Sequence, residues 1–356
     1  MRRGLAGLAA CGLVTVTALP AHAGEGTRVA AVPAVPKVVA SSFVVADAET
    51  GAVLAAKDPH GRYLPASTLK TLTAVTLIPK LDPNATIKPT AFTTNVAPTI
   101  IGLKTNKTYK VKDLFRIMLM ISANDAAKGV AQAAGGYQKA LGMLNAEARR
   151  LHCDDTLAGS PNGLDNDLGL TIKQQHSSAY DLAQIFRQGL TLPDFVSYIN
   201  TVKAKFPYWG VQETHDRLLA GPLKYPGLIG GKTGFTTAAM QNFVGAARRN
   251  GHTIIISEMH SSNQFFADAT KLLDWGFQAD GKVNPVGHLT APAAAPNGAK
   301  TPSSSATQAL SAANASQDSA SSGSGGTGPL TIVMLVVSFG AVIGAAGYYL
   351  TARRRI

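Results

Sequence analysis

Pro65-Ala66-Ser67-Thr68-Leu69-Lys70 is the stretch on which the fold of this chain is decided. It sets a hydroxyl at the start of a helix and an amine three residues later, and positions i and i+3 share a helix face, so the two side chains can meet. A serine hydroxyl is a poor nucleophile until a neighbour accepts its proton. A lysine can do so when desolvation or nearby positive charge favours its neutral form. The helix N-terminus also favours negative charge arising at Ser67. Alone, serine-x-x-lysine equally fits an N-cap serine beside a solvated lysine. Two later triplets change this reading. Ser122-Ala123-Asn124 follows the apolar run Val111–Ile121, 55 residues after Ser67, and Lys232-Thr233-Gly234 lies in a β segment 110 residues after Ser122.

Outward from these motifs the pattern divides into strands at both ends and helices between. Phe43–Ala48 and Ala52–Ala56 read as two short strands about Glu49-Thr50-Gly51. Leu69, Leu72, Val75 and Ile78 recur every three residues up to Pro79, and Leu114, Ile117, Met118 and Ile121 keep helical spacing. Residues 227–234, 241–248 and 253–259 read as strands, with Arg249-Asn250-Gly251 as turn chemistry for the last pair. A helix over 267–277 carries Leu272, Leu273 and Trp275. The expectation is an α+β domain, one sheet assembled from distant segments with a helical insertion.

The ends read differently. Residues 1–23 carry Arg2 and Arg3, an apolar run Leu5–Leu19 and Ala21-His22-Ala23, the order of a secretory signal peptide, and cleavage after Ala23 is expected over acylation at Cys11. Residues 24–39 read as an extended Ala/Val/Pro leader, 40–282 as the folded domain and 283–328 as an Ala/Ser/Pro/Gly-rich stalk. A transmembrane helix is expected over 329–350, where Leu330–Leu350 has no charge and reaches across a ~30 Å hydrocarbon core at about 1.5 Å per residue. A cytoplasmic tail, 351–356, holds Arg353, Arg354 and Arg355, so the localisation expected is a single-pass membrane protein with its main domain outside.

The formal charge of +12 falls to +7 without the five arginines at the ends. The remaining basic residues are scattered without aromatic interleaving, which excludes a nucleic-acid footprint. Cys11 and Cys153 are the only cysteines, too few for a disulfide framework or a paired-cysteine zinc site. Cys153 reads as a small buried hydrophobe. His152, His176 and His260 lack ligand spacing, so no metal and no cofactor is expected.

From Ser42 to Phe277 the chain resembles the D-alanyl-D-alanine carboxypeptidases among the low-molecular-mass penicillin-binding proteins. The ordered triplets carry the resemblance. So do the opening hairpin with Asp47, Ser160-Pro161-Asn162-Gly163-Leu164, His176–Ala183 and Asp274-Trp275-Gly276-Phe277. The resemblance implies a penicillin-binding protein and serine β-lactamase-like fold: an antiparallel sheet flanked by helices, a helical lobe, and a cleft between them. It implies that Ser67 attacks the penultimate D-alanine carbonyl of a peptidoglycan stem pentapeptide, Lys70 takes its proton and Ser122 relays one to the leaving D-alanine. Asn124 would bind the peptide backbone. Lys232 and Thr233 would hold the terminal carboxylate, Gly234 would let the substrate lie close, and the backbone N–H groups of Ser67 and Phe235 would form the oxyanion hole. β-Lactam antibiotics would be covalent inhibitors.

Two departures from the family pattern stand out. Asn162 replaces a frequent histidine, and Ser262–Phe266 has no basic residue where many members carry an arginine. A class A β-lactamase would need a glutamate-x-x-leucine-asparagine segment, but Glu147 and Glu213, the glutamates between Ser122 and Lys232, lack it. A D,D-transpeptidase shares the acyl-enzyme. A non-catalytic peptidoglycan- or penicillin-binding module would not be expected to keep Ser67, Lys70 and Lys232.

Overall fold

A computed structural model describes residues 32–292. The expected signal peptide, the apolar run Leu330–Leu350, the tail, most of the leader and most of the stalk lie outside the described residues. Among the described residues no helix is long and apolar enough to cross a membrane.

The hairpin that opens the domain is β1 (Ser42–Asp47) and β2 (Ala52–Lys57). Asp47 shapes its turn by accepting from the Glu49 N–H at 2.7 Å and the Thr50 hydroxyl at 2.6 Å. Gly51, at φ +82°, supplies the left-handed residue that closes it. A 3-10 turn over Ala66–Leu69 leads into α1 (Lys70–Leu77). The helical lobe then includes a short pair, β3 (Thr86–Ile87) and β4 (Tyr109–Lys110), around α2 (Ala91–Thr94). It continues through α3 (Val111–Met120), α4 (Asn124–Ala133), α5 (Tyr137–Arg150), α6 (Ala179–Gly189) and α7 (Pro193–Ile199). After a hairpin of β5 (Lys203–Phe206) and β6 (Gly210–Glu213), the chain returns to the main sheet as β7 (Leu228–Thr236), β8 (Met240–Arg249) and β9 (His252–Ser261). It closes with α8 (Phe265–Ala279) and β10 (Gly287–His288).

The six-stranded sheet has the order β10-β2-β1-β9-β8-β7 and is antiparallel throughout. Strands from the two sequence ends therefore meet at β1–β9, as their patterning predicts. Asn250 (φ +51°) and Gly251 (φ +87°) make the β8–β9 turn a type I′ connection, whose twist suits a two-residue hairpin. Val45, Phe243, Ile254 and Ile256 pack with Leu272, Leu273 and Trp275 of α8, while α6 lies against β1, β9 and α1. A Cβ on Gly276 would come within 2.7 Å of Ile254, so a glycine lets α8 sit directly on the sheet. This layering leaves β7 as an edge strand beside the turn that carries Ser67.

Two expected boundaries need correction. The domain does not end at 282: β10 pairs with β2, Leu289 is buried, and the Arg187 guanidinium donates to the carbonyls of Leu289 and Thr290. Composition hid this because backbone carbonyls, not large side chains, make most of these contacts. The leader is likewise not all free. Val32 and Val38 pack on the α8 core, the Trp275 indole donates to Pro33 O, and Val39 N donates to Asp268.

Glu258 on β9 is fully buried with neither carboxylate oxygen hydrogen-bonded, and burial first, then Asp268, holds its carboxyl far above the usual range. The folded state thus keeps a proton that the unfolded chain releases, so stability falls as pH rises above the ordinary carboxyl value. Glu258→Gln removes this slope. Relative to wild type, the variant is expected to gain several degrees in Tm on going from pH 5 to pH 8, since a proton held only by the folded state costs about 1.4 kcal/mol per pH unit. Parallel Tm–pH curves for the two proteins would contradict this.

Candidate active site

The three motifs converge on one cleft of about 360 Å³, lined in part by Ser67, Ser122, Asn124, Thr233, Gly234 and Phe235. Ala66, at φ +46°, is held in the left-handed region just before Ser67, a strained conformation maintained by its surroundings. One of those surroundings is Gly163 (φ +81°), whose backbone crosses so close that a Cβ there would overlap the Ala66 carbonyl oxygen at 1.7 Å. No residue with a side chain fits that crossing.

Lys70 is fully buried, and its Nζ donates to Ser67 Oγ at 2.6 Å, Asn124 Oδ1 at 2.7 Å and the Asn162 carbonyl at 2.7 Å. All its donor capacity is aimed. Burial, reinforced by the charge of Lys232 and partly opposed by Asp125, pulls its ammonium well below the usual lysine range. A lysine so placed can exist as a neutral amine beside the hydroxyl it must deprotonate.

The Ser160–Leu164 segment supplies that carbonyl from a pinned loop. Gln175 accepts from Ser160 Oγ at 2.7 Å and donates to Gly163 O at 2.9 Å, and Thr73 of α1 donates to Pro161 O at 2.7 Å. The departure at Asn162 is therefore mild. The backbone touches Lys70, while the side chain accepts from Leu164 N within its own turn.

Ser122, at φ +66°, is another left-handed non-glycine residue and lines the cleft just before α4. It makes no hydrogen bond to Lys70, whose donors go elsewhere. Asn124 is 2% exposed; Oδ1 receives Lys70 and Nδ2 donates to Ala97 O at 2.9 Å. Its observed contact thus positions the lysine, and binding a peptide carbonyl would require exchanging the Ala97 bond. Asp125, beside it, fixes the cleft-side loop through the N–H groups of Ile101, Gly102 and Leu103 at 2.8–3.0 Å.

Lys232 does not line the cleft. It is 2% exposed and donates to Thr233 O at 2.7 Å, and burial, partly offset by Asp216, brings its ammonium down to about 7. Thr233 does line the cleft. Gly234 is needed, but for a different neighbour than expected. A Cβ there would stand 2.8 Å from Pro65 O and 3.0 Å from Ser67 N, so its bareness lets edge strand β7 abut the nucleophile's own turn. That contact brings the Phe235 end of β7 to the same cleft as Ser67.

Motif reading missed part of the wall. His215 lines the cleft, tied through its N–H to Met120 O at 2.8 Å, and Phe265 and Phe266, with ring centroids 4.1 Å apart, form an apolar side where an arginine was sought. The residues flanking α8's start were legible as lacking charge; His215 had no motif to mark it.

Comparison with known proteins identifies the family and the fold. The chain is 35% identical over 251 residues to a D-alanyl-D-alanine carboxypeptidase (DacB2) of Mycobacterium tuberculosis, covering 68% of this chain and 84% of that relative. It superposes on the crystal structure of a D-alanyl-D-alanine carboxypeptidase from Mycobacterium tuberculosis with a TM-score of 0.68 and 34% identity, over 73% of this chain and 98% of the other. An ampicillin-bound penicillin-binding protein from Listeria monocytogenes matches with a TM-score of 0.60 and 25% identity, over 68% and 100% of the two chains. Since the D-alanyl-D-alanine carboxypeptidase sequence model also spans residues 29–263, from before the hairpin to the start of the last helix, the chain belongs to that family.

Proposed function

We propose that this protein is a serine-type D-alanyl-D-alanine carboxypeptidase that removes the terminal D-alanine from peptidoglycan stem pentapeptides and is acylated by β-lactams. One observation carries the reading: the buried Lys70 amine stands 2.6 Å from the Ser67 hydroxyl in an open cleft. Ser67 Oγ bonds to the penultimate D-alanine carbonyl carbon as its proton passes to Lys70. The resulting oxyanion faces the Ser67 and Phe235 N–H groups. The peptide C–N bond then breaks, the leaving D-alanine amine takes a proton relayed through Ser122, and water later hydrolyses the acyl-enzyme. Thr233 in the cleft wall holds the terminal carboxylate, and the buried Lys232 ammonium behind it supplies the attracting charge. Mass spectrometry of a pentapeptide ending in D-Ala-D-Ala tests this; an unchanged pentapeptide after long incubation would refute it.

A β-lactamase reading finds no support in the cleft. Glu147 pairs with Arg150 and Glu213 with Lys203, and among the described residues no carboxylate lines the cleft to activate water. A penicilloyl group on Ser67 is therefore expected to persist far longer than one turnover of peptide. Labelled benzylpenicillin should remain on the protein for many minutes, and prompt release of penicilloate would overturn this choice. The apolar run Leu330–Leu350 with its arginines, together with the signal-like first 23 residues, supports placing this domain on the outer side of a membrane. Protease accessibility on intact cells tests that placement.

A further inference from the structure

A second cleft, of about 320 Å³, lies where the β5–β6 hairpin tip meets the start of α3, and the proposed chemistry does not use it. Its wall is aromatic. Tyr109 and Trp209 stack with centroids 5.0 Å apart and planes 3° apart, and Tyr208, 61% exposed, stands edge-on to Tyr109 at 5.6 Å. Around these rings lie Thr108, Lys110, Lys112 and Asp113, and the Lys107 ammonium stands 5.2 Å from the centre of the Tyr208 ring. Such a site offers flat apolar faces together with hydroxyl, ammonium and carboxylate groups. That combination suits a polyhydroxy ring: its C–H face lies on an aromatic side chain while its hydroxyls accept from lysine and donate to aspartate. An apolar partner would strand the Asp113 carboxylate and the Lys110 ammonium, whereas a ring bearing hydroxyls serves both.

Its distance from the active cleft is informative. Asp113 is in the first turn of α3 and Ser122 lies just past its last, so nine residue steps at about 1.5 Å each separate the two clefts by about 13 Å. The β5–β6 hairpin spans the same interval, rejoining the C-terminal end of α3 through His215 N to Met120 O. Four extended residues, from the sugar attachment to the penultimate D-alanine, reach about 13–14 Å. We infer that this aromatic cleft binds the amino-sugar strand of the cell-wall polymer whose stem peptide enters the active cleft. The inference rests on the carboxypeptidase reading for its choice of polymer.

The test compares kcat/KM of the full-length protein for a disaccharide-linked pentapeptide and for the free pentapeptide, which is too short to fill both clefts. Wild type is expected to prefer the sugar-linked substrate about tenfold, the scale of one good aromatic contact, and Tyr208→Ala to bring the ratio near one. An unchanged ratio in Tyr208→Ala overturns the inference. Should wild type hydrolyse neither substrate, the carboxypeptidase reading fails, and peptide-free glycan strands decide the cleft by direct binding. Strands held by wild type and lost by Tyr208→Ala and Trp209→Ala uphold it; equal retention by all three proteins overturns it.

Discussion

Ser67→Ala is expected to eliminate D-alanine release, lowering kcat by about 10⁴-fold or more, because no covalent intermediate can form without the hydroxyl. The fold should be spared. Ser67 accepts one bond from Lys70, and that amine keeps Asn124 Oδ1 and the Asn162 carbonyl when the hydroxyl is gone. The left-handed Ala66 and the Gly163 crossing that set the turn also remain. The expected outcome is therefore a protein with near-native Tm that still binds pentapeptide but neither hydrolyses it nor takes up labelled penicillin. Equal D-alanine release by variant and wild type would mean that the chemistry occurs elsewhere. Loss of activity accompanied by a collapse of Tm would leave catalysis and folding unseparated, and Ser67→Cys, similar in volume and still nucleophilic, would then discriminate through residual acylation.

Much of this site was readable in the chain because its chemistry needs particular residue types at particular spacings. Ser67 and Lys70 share one helical face, and a lysine beside a glycine on an edge strand can face a helix start, so their motifs survive as short words. The sheet was readable for a related reason: β1, β8 and β9 are runs of Val, Ile, Phe and Ala long enough to leave no other partner, and Asn250-Gly251 specifies its turn. What escaped notice works through backbone atoms or through the third dimension. The Asn162 carbonyl that receives Lys70 has no residue signature. His215 comes to the cleft on a hairpin return, and β10 is anchored by carbonyls that accept from Arg187, so neither shows in composition. Gly234 reads from sequence as room for a bound strand, whereas in the structure its space borders Pro65 O and Ser67 N, since a missing side chain does not announce which neighbour takes its place.

The two lysines set an opposed pair of proton requirements, and the pH profile of kcat/KM should display both. Lys70 must be neutral to take the Ser67 proton. Its ammonium is pulled well below the usual range by burial and then by Lys232, so the rate rises with pH as Lys70 deprotonates. Lys232 must be charged to hold a carboxylate, and burial sets its ammonium at about 7, so binding weakens by about tenfold per pH unit above that point. The two titrations are coupled, because each positive charge disfavours the other, and the limbs belong to the pair. The same depressed values mean that the unfolded chain holds protons the folded one lacks between about pH 7 and the ordinary lysine range, so stability should increase across that window while activity falls. Lys232→Arg separates the contributions: a guanidinium stays charged, so the alkaline fall should disappear from KM while the acid limb remains. Lys70→Arg should instead be inactive by about 10³–10⁴-fold at every pH, because a guanidinium cannot surrender its proton to act as a base. A wild-type KM that stays flat from pH 6 to pH 9 would remove Lys232 from carboxylate recognition and leave that task to Thr233 and His215 in the cleft wall.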